Sequence, residues 1–260
     1  MTIPLFKSHY SIGKSILTLN APKSSDEVNS SDSIFDIASA AGLPGITLVE
    51  DTFMGFLQAK KVSESLGIDF IFGIRLDVCH SVGSQEEEDL NKCSHKLIVF
   101  ARTSLGCKIL NQIYTECKTK HSGWIDLSVL KSYWSEKDLL LGVPFYDSFL
   151  FKNLTTFNTC IPNFDFTSPT FFVEDNGLPF DSLVTAAVID YCSSSDFEVQ
   201  KAQSIYYKRK CDFSAYLTYK LICGRNSFSG RSLSLEKPNF DHMGSDEFSW
   251  ESYLQKNEVS

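Results

Sequence analysis

The feature that most constrains the fold is a regular alternation of strand and helix signals through the first hundred residues. Apolar runs rich in β-forming residues at 46–49 and 68–76 are separated by a helical pattern at 54–66, and another helical pattern at 32–41 precedes them. Short connections between such units are typical of a parallel sheet with its helices outside. The sequence therefore predicts an α/β protein.

The later chain continues this alternation less regularly. Strands are predicted at 96–101, 139–143, 170–174 and 201–207, and helices at 104–114, 126–133, 179–191 and 212–223. The acidic segment at 81–94 is loop-like, which predicts exposed surface. Six or seven strand–helix units before residue 225 predict a small (β/α) barrel, and an open doubly wound sheet is the alternative.

Charge and hydropathy limit the function classes. The chain has 260 residues, 43% of them hydrophobic, and a formal net charge of −8. A protein that holds DNA by itself usually has a basic face, whereas the one cationic cluster here is 208–210. We therefore expect any contact with DNA to be made through a partner. The sequence contains no run of about 18 apolar residues and no secretory-type N-terminus, so we expect a cytoplasmic protein.

The cysteines do not form a recognisable framework. They are scattered, without a CxxC pair, at positions 79, 93, 107, 117, 160, 192, 211 and 223. This distribution favours buried, reduced thiols over disulfides. Cys79 and His80 are adjacent, but neighbouring residues of a strand point to opposite faces, so we do not expect them to form a catalytic pair.

Common phosphate-binding and nucleophile motifs are missing. GxxxxGK[ST], GxGxxG and GxSxG do not occur, and the triplet Gly13-Lys14-Ser15 lacks the upstream glycine that a phosphate-binding loop needs. The five histidines lack the spacing that places two imidazoles on one metal ion. The best-placed acids are Glu50 and Asp51 at the end of a strand, where they are either a loop cap or a catalytic couple.

Several segments together resemble a known family. They are SHYS at 8–11, GLPGITLVED at 42–51, GIDFIFGIRL at 67–76, HKLIVFAR at 95–102, FVEDNGLP at 172–179 and DFSAY at 212–216. In order and spacing they resemble the polymerase-and-histidinol-phosphatase (PHP) domain, specifically the version at the front of the bacterial DNA polymerase III alpha subunit. The resemblance covers about residues 1–225. It implies a seven-stranded (β/α) barrel in which divalent metals at one face support phosphoester hydrolysis or proofreading.

The chain departs from the family where the metal ligands are expected. Those positions fall on Leu5 and Lys7, on Glu50 and Asp51, on Arg75, on Ser204 and Tyr206, and on Tyr216. The resemblance therefore implies a degenerate pocket without metal, cofactor or catalytic residues. Its residues are Lys7, His9, Glu50, Asp51 and Arg75. A guanidinium beside Glu50 or Asp51 would fill the pocket with an ion pair.

The resemblance also implies a domain organisation and a partner. Residues 1–224 are expected to form the barrel domain, and 225–260 an irregular extension that resembles the segment leading into the polymerase body. The polymerase palm is absent, so we expect a non-catalytic domain of a split, phage-type polymerase that docks on the polymerase core or on a proofreading exonuclease. The host cytoplasm is the expected location if a phage encodes the chain.

Three interpretations remain open. The aromatic residues Phe240, Phe248, Trp250 and Tyr253 either form a docking segment or pack on their own barrel. The alternative function is a metal-dependent phosphoesterase or 3′–5′ exonuclease that uses Mn or Zn with an altered ligand set. Its ligands would be Glu50, Asp51, His9 and His95. An unrelated α/β barrel is the third interpretation.

Overall fold

The structure, a computed structural model, describes residues 2–21, 31–82, 94–156, 159–223 and 244–258. Its contacts divide the chain into two compact units. Unit 1 comprises residues 1–71, 175–181 and 202–260, and unit 2 comprises 72–174 and 182–201. The expected domain boundary at 224/225 falls outside the described residues.

The described residues form eight strands and eight α-helices. The strands are β1 (Ile3–Phe6), β2 (Gly45–Glu50), β3 (Asp69–Val78), β4 (His95–Ala101), β5 (Trp124–Ile125), β6 (Leu139–Val143), β7 (Thr170–Val173) and β8 (Glu198–Ile205). The helices are α1 (Ile34–Ala40), α2 (Phe56–Leu66), α3 (Ser104–Lys120), α4 (Leu127–Tyr133), α5 (Phe149–Thr156), α6 (Asp181–Ser195), α7 (Phe213–Cys223) and α8 (Trp250–Glu258). A short 3₁₀ turn, Lys210–Asp212, precedes α7.

Capping residues explain where several helices begin and end. The Ser33 side chain accepts from Phe35 N at the start of α1, and Asp126 accepts from Val129 N at the start of α4. Thr103 accepts from Gly106 N at the start of α3. Gly67 ends α2 in the left-handed conformation at φ 66°, which glycine adopts without steric cost. These boundaries agree with those predicted from the sequence.

Three parallel strands organise unit 1. β1 pairs in parallel with β2, with Leu5 opposite Thr47, and in parallel with β8, with Leu5 opposite Ser204. The carboxyl ends of these strands therefore meet at one edge, where the candidate residues after β1 and β2 are brought together.

Unit 2 is built on strands of mixed direction. β4 runs antiparallel to β3, with Val78 opposite His95, and antiparallel to β6, with Val99 opposite Leu141. β6, β7 and the first half of β8 are mutually parallel, and the short β5 is parallel to β3.

The predicted (β/α)7 TIM-like barrel is wrong. The pairings link seven strands into a closed, mixed β-barrel in the order β2-β1-β8-β7-β6-β4-β3 and back to β2, with β5 added beside β3 and the helices mostly outside. Parallel neighbours need a crossover connection, whereas antiparallel neighbours do not. Between β3 and β4 the sequence offers an acidic, loop-like segment, and the two strands pair antiparallel. The closed order also rules out the open doubly wound alternative.

The described part of the C-terminal extension is ordered into a helix and packs on unit 1. Phe248, Trp250 and Tyr253 are buried, Trp250 stacks on Phe6 with centroids 5.8 Å apart, and the Tyr253 hydroxyl donates to Thr2 O at 3.0 Å. Of the two interpretations of the aromatic residues, packing on their own unit therefore describes these three. Phe240 lies outside the described residues.

The remaining expectations on thiols and membrane segments can be compared directly with the structure. No disulfide joins the seven cysteines of the described ranges, and Cys79, Cys117 and Cys192 are buried. Cys93 lies outside the described residues. Among the helices of the described ranges, none combines the length and apolar character that crossing a bilayer requires.

Candidate functional site

The candidate site lies at the carboxyl ends of β1 and β2 in unit 1. Lys7 follows β1, Glu50 is the last residue of β2, and Asp51 follows it. Because the two strands are parallel and in register, these three charged side chains meet at one edge. The loop after β1 adds Ser8 and Ser11, both of which are buried.

Glu50 is a fully buried carboxylate that its own surroundings satisfy. Its Oε1 accepts from the backbone N–H of Ser8 at 2.8 Å, and its Oε2 accepts from the Ser11 hydroxyl. Burial raises the pKa of Glu50 above its ordinary value, although the nearby Lys7 ammonium and the hydrogen bonds from both serines act to lower it. Both oxygens are thus engaged by the loop that follows β1.

Lys7 forms an ion pair with Asp51. The Lys7 ammonium donates to Asp51 Oδ1 at 2.8 Å, with the two side chains 5% and 30% exposed. The Asp51 backbone N–H donates to Ser11 Oγ at 2.9 Å, so one serine hydroxyl contacts both acidic residues. An ion pair does fill this edge, but its cation is the lysine ammonium rather than a guanidinium.

His9 contacts the backbone of its own loop. Its backbone N–H donates to Leu17 O at 2.8 Å, and its ring Nδ1 lies 3.3 Å from the same oxygen. The ring packs on Tyr10 with centroids 4.3 Å apart. These contacts hold the loop that carries Ser8 and Ser11.

Two other candidate residues have their contacts in unit 2. The Arg75 guanidinium donates to Tyr146 O at 2.7 Å and to Asp147 Oδ2 at 3.2 Å. The His95 ring lies edge-on to Phe149 with centroids 6.0 Å apart. The structure therefore brings together Lys7, Glu50 and Asp51 within unit 1, while Arg75 and His95 belong to local networks of the other unit.

The end of β8 contributes aromatic rings to unit 1. Tyr206 stacks on Phe248 at 5.3 Å between centroids and on Tyr216 at 5.9 Å. Its carbonyl oxygen accepts from Ser15 Oγ at 2.8 Å, and its N–H donates to Phe248 O at 3.0 Å. Where the resemblance would place metal-binding side chains, the strand end thus carries a packed aromatic stack.

The residues present do not fit the divalent metals that the resemblance implies. No group of three or more His, Cys, Asp or Glu side chains within the described ranges is arranged to hold a metal ion. Both Glu50 oxygens accept hydrogen bonds, and Asp51 is engaged by the Lys7 ammonium. The positive charge of the Lys7 ammonium, 2.8 Å from Asp51 Oδ1, repels a second cation at this carboxylate.

Sequence reasoning missed the roles of Ser8 and Ser11. Both lie within one of the segments that carry the resemblance, yet no spacing in the sequence shows that their hydroxyl and amide groups face Glu50. The only available signal was a buried acid at a strand end, which needs hydrogen-bond donors from a neighbouring loop.

Comparison of the chain with protein-family models and with curated proteins finds no match.

Proposed function

We propose that this chain is a non-catalytic domain of a replicative DNA polymerase assembly, related to the PHP domain of DNA polymerase III alpha subunits. It docks in trans on the polymerase core or on a proofreading exonuclease, and it meets DNA only through that partner. The support is the ordered series of segments that resemble the family, together with the net charge of −8, which is unlike that of a protein that binds DNA alone.

The observation that carries the non-catalytic part is the Lys7–Asp51 ion pair beside the satisfied carboxylate of Glu50. Metal-dependent phosphoester hydrolysis needs open carboxylate or imidazole ligands that hold a cation and activate water. Here the Lys7 ammonium, rather than a metal ion, is paired with Asp51. The loop after β1 donates a hydrogen bond to each oxygen of the buried Glu50. These contacts support a structural role for the strand ends.

Two measurements on the full chain test this function. Tagged protein is purified from its native cell, and the captured proteins are identified. A polymerase catalytic subunit or a proofreading exonuclease among them supports the proposal, and the absence of any replication protein contradicts it.

The second measurement is the hydrolysis of a generic phosphate ester with added Mn²⁺. Activity that is lost in Glu50→Gln and in Asp51→Asn would instead establish the phosphoesterase.

A further inference from the structure

A thiol and an imidazole that are 65 residues apart in the chain meet in unit 2. Cys160 Sγ lies 3.9 Å from His95 Nδ1, which is within hydrogen-bonding reach for sulfur. His95 is buried at the start of β4, whereas Cys160 is partly exposed in the chain that follows α5. The sulfur is therefore positioned beside a base in a residue that is only partly buried.

Both partners of this pair are held in place by other residues. Asn153 of α5 binds the backbone of Cys160 twice: its Nδ2 donates to Cys160 O at 2.7 Å, and its Oδ1 accepts from Cys160 N at 3.1 Å. His95 is fixed by its register opposite Val78 in β3 and by the ring of Phe149. The short Sγ–Nδ1 approach is thus set by the backbone on both sides.

Four of the six other described thiols have different surroundings. Burial raises the pKa of Cys79 and of Cys192 to about 11 and also raises the pKa of Cys117, so these thiols stay protonated at neutral pH. Cys211 is exposed, and its Sγ donates to Asp212 Oδ1 at 3.8 Å. It therefore serves as an internal reference for an exposed thiol that contacts a carboxylate rather than an imidazole.

We propose that Cys160 is a reactive thiol activated by His95, and that soft electrophiles and peroxides modify it. The thiol proton passes to His95 Nδ1, and the resulting thiolate is the nucleophile. With an alkyl iodide, the S–C bond forms as the C–I bond breaks and iodide leaves. With hydrogen peroxide, the S–O bond forms as the O–O bond breaks, and the hydroxide that leaves takes a proton to become water, which gives a sulfenic acid.

The charged groups that flank His95 in the chain or lie on and before α5 are engaged by other described residues. Lys152 of α5 donates to Ser94 Oγ at 3.1 Å, directly before His95. Lys96, which follows His95, is paired with Asp77 of β3. Asp147, before α5, is paired with Arg75. Phe149 also contacts Tyr191 of α6, whose pKa is raised by burial, so that its hydroxyl stays neutral.

Alkylation kinetics on the intact, reduced chain test this proposal. Iodoacetamide is added at pH 6.5 and at pH 8.5, and the modified cysteines are followed by mass spectrometry. An ordinary thiol is about 1% ionised at pH 6.5, so a thiol activated by an adjacent base is expected to react at least about tenfold faster than Cys211 there. The advantage should shrink at pH 8.5, where an ordinary thiol is about half ionised.

Variants separate activation from simple exposure. His95→Asn should bring the rate of Cys160 at pH 6.5 down to within about twofold of that of Cys211, and circular dichroism reports whether the variant is folded. Asn153→Ala keeps the imidazole but frees the chain around Cys160, so we expect an intermediate rate. Peroxide followed by a 1,3-dione probe should label Cys160 first.

Two results would overturn this assignment. One is an equal rate for Cys160 and Cys211 in the wild-type chain at pH 6.5, which needs no variant to interpret. The other is an unchanged Cys160 rate in a folded His95→Asn variant.

Discussion

Replacing Lys7 with methionine tests whether the ion pair at the strand ends holds unit 1 together. The Lys7–Asp51 distance of 2.8 Å corresponds to about 6 kcal/mol of Coulomb attraction at an effective dielectric constant of about 20. Desolvation of the nearly buried ammonium offsets part of this attraction. Removing one partner of a buried pair costs about 3–5 kcal/mol, and Asp51 keeps some contact with water, so we expect about 3 kcal/mol for Lys7→Met.

Urea denaturation monitored by tryptophan fluorescence and circular dichroism measures this loss. The matched control is Lys131→Met, which removes a pair with Asp165 at the same 2.8 Å but with both side chains about half exposed. An exposed pair contributes about 0–1 kcal/mol, so the control should change little. A loss below about 1 kcal/mol for Lys7→Met, or equal losses for the two variants, would refute the reasoning.

The pH dependence of the free energy of unfolding has a sign that can be predicted for Lys7→Met. Burial raises the pKa of Glu50 in the folded chain above its ordinary 4.5, so its contribution to stability is greatest below pH 4.5 and is lost as the pH rises through the folded value. Lys7→Met removes a group that lowers this pKa, so its destabilising effect should grow from pH 5 to pH 8. In a Glu50→Gln background this growth should largely disappear, and its persistence would exclude Glu50 as the cause.

Three further predictions concern packing and can be checked by the same denaturation assay. Gly106→Ala should cost about 2–3 kcal/mol, because a Cβ there would overlap the carbonyl oxygen of Asp138. Tyr207→Phe should be neutral or slightly stabilising because no described residue accepts from its buried hydroxyl, whereas Tyr253→Phe, which loses a bond to Thr2 O, should cost about 1 kcal/mol. Phe248→Ala should cost about 3–5 kcal/mol, against about 0.5 kcal/mol or less for Ile222→Ala at an exposed position.

Elements that carry their own local signal could be predicted from the sequence. Ser33, Asp126 and Gly67 mark helix ends by chemistry that acts within a few residues, and the structure confirms them. The helix predicted at 104–114 extends to Lys120, because the segment 115–120, TECKTK, contains no glycine or proline that would stop it. β5, α5 and α8 went unpredicted: β5 has two residues, and the two helices lie in aromatic stretches without regular spacing.

Strand direction could not be read in the same way, because it depends on partners far along the chain. β4 has the same apolar character as its neighbours, yet it runs antiparallel to both β3 and β6. In the sequence, the absence of a helical pattern at 81–94 was the one local indication that β4 runs antiparallel to β3. The candidate site shows the same division. The strand-end pattern singled out Glu50 and Asp51, and Lys7 was placed with them only through the resemblance. The approach of Cys160 to His95 left no trace in the sequence.

The position of Lys7 accounts for its burial without any reference to catalysis. Its backbone N–H donates to Ile205 O at the end of β8, and its ammonium binds Asp51 after β2, so one residue following β1 connects the ends of three parallel strands. Its ammonium also lowers the pKa of Glu50, which favours the charged form of that buried acid. A neutral side chain here would break the side-chain connection and leave two carboxylates close together in unit 1. A positive charge at this edge therefore stabilises the fold, and the Lys7 ammonium supplies it without a bound metal ion.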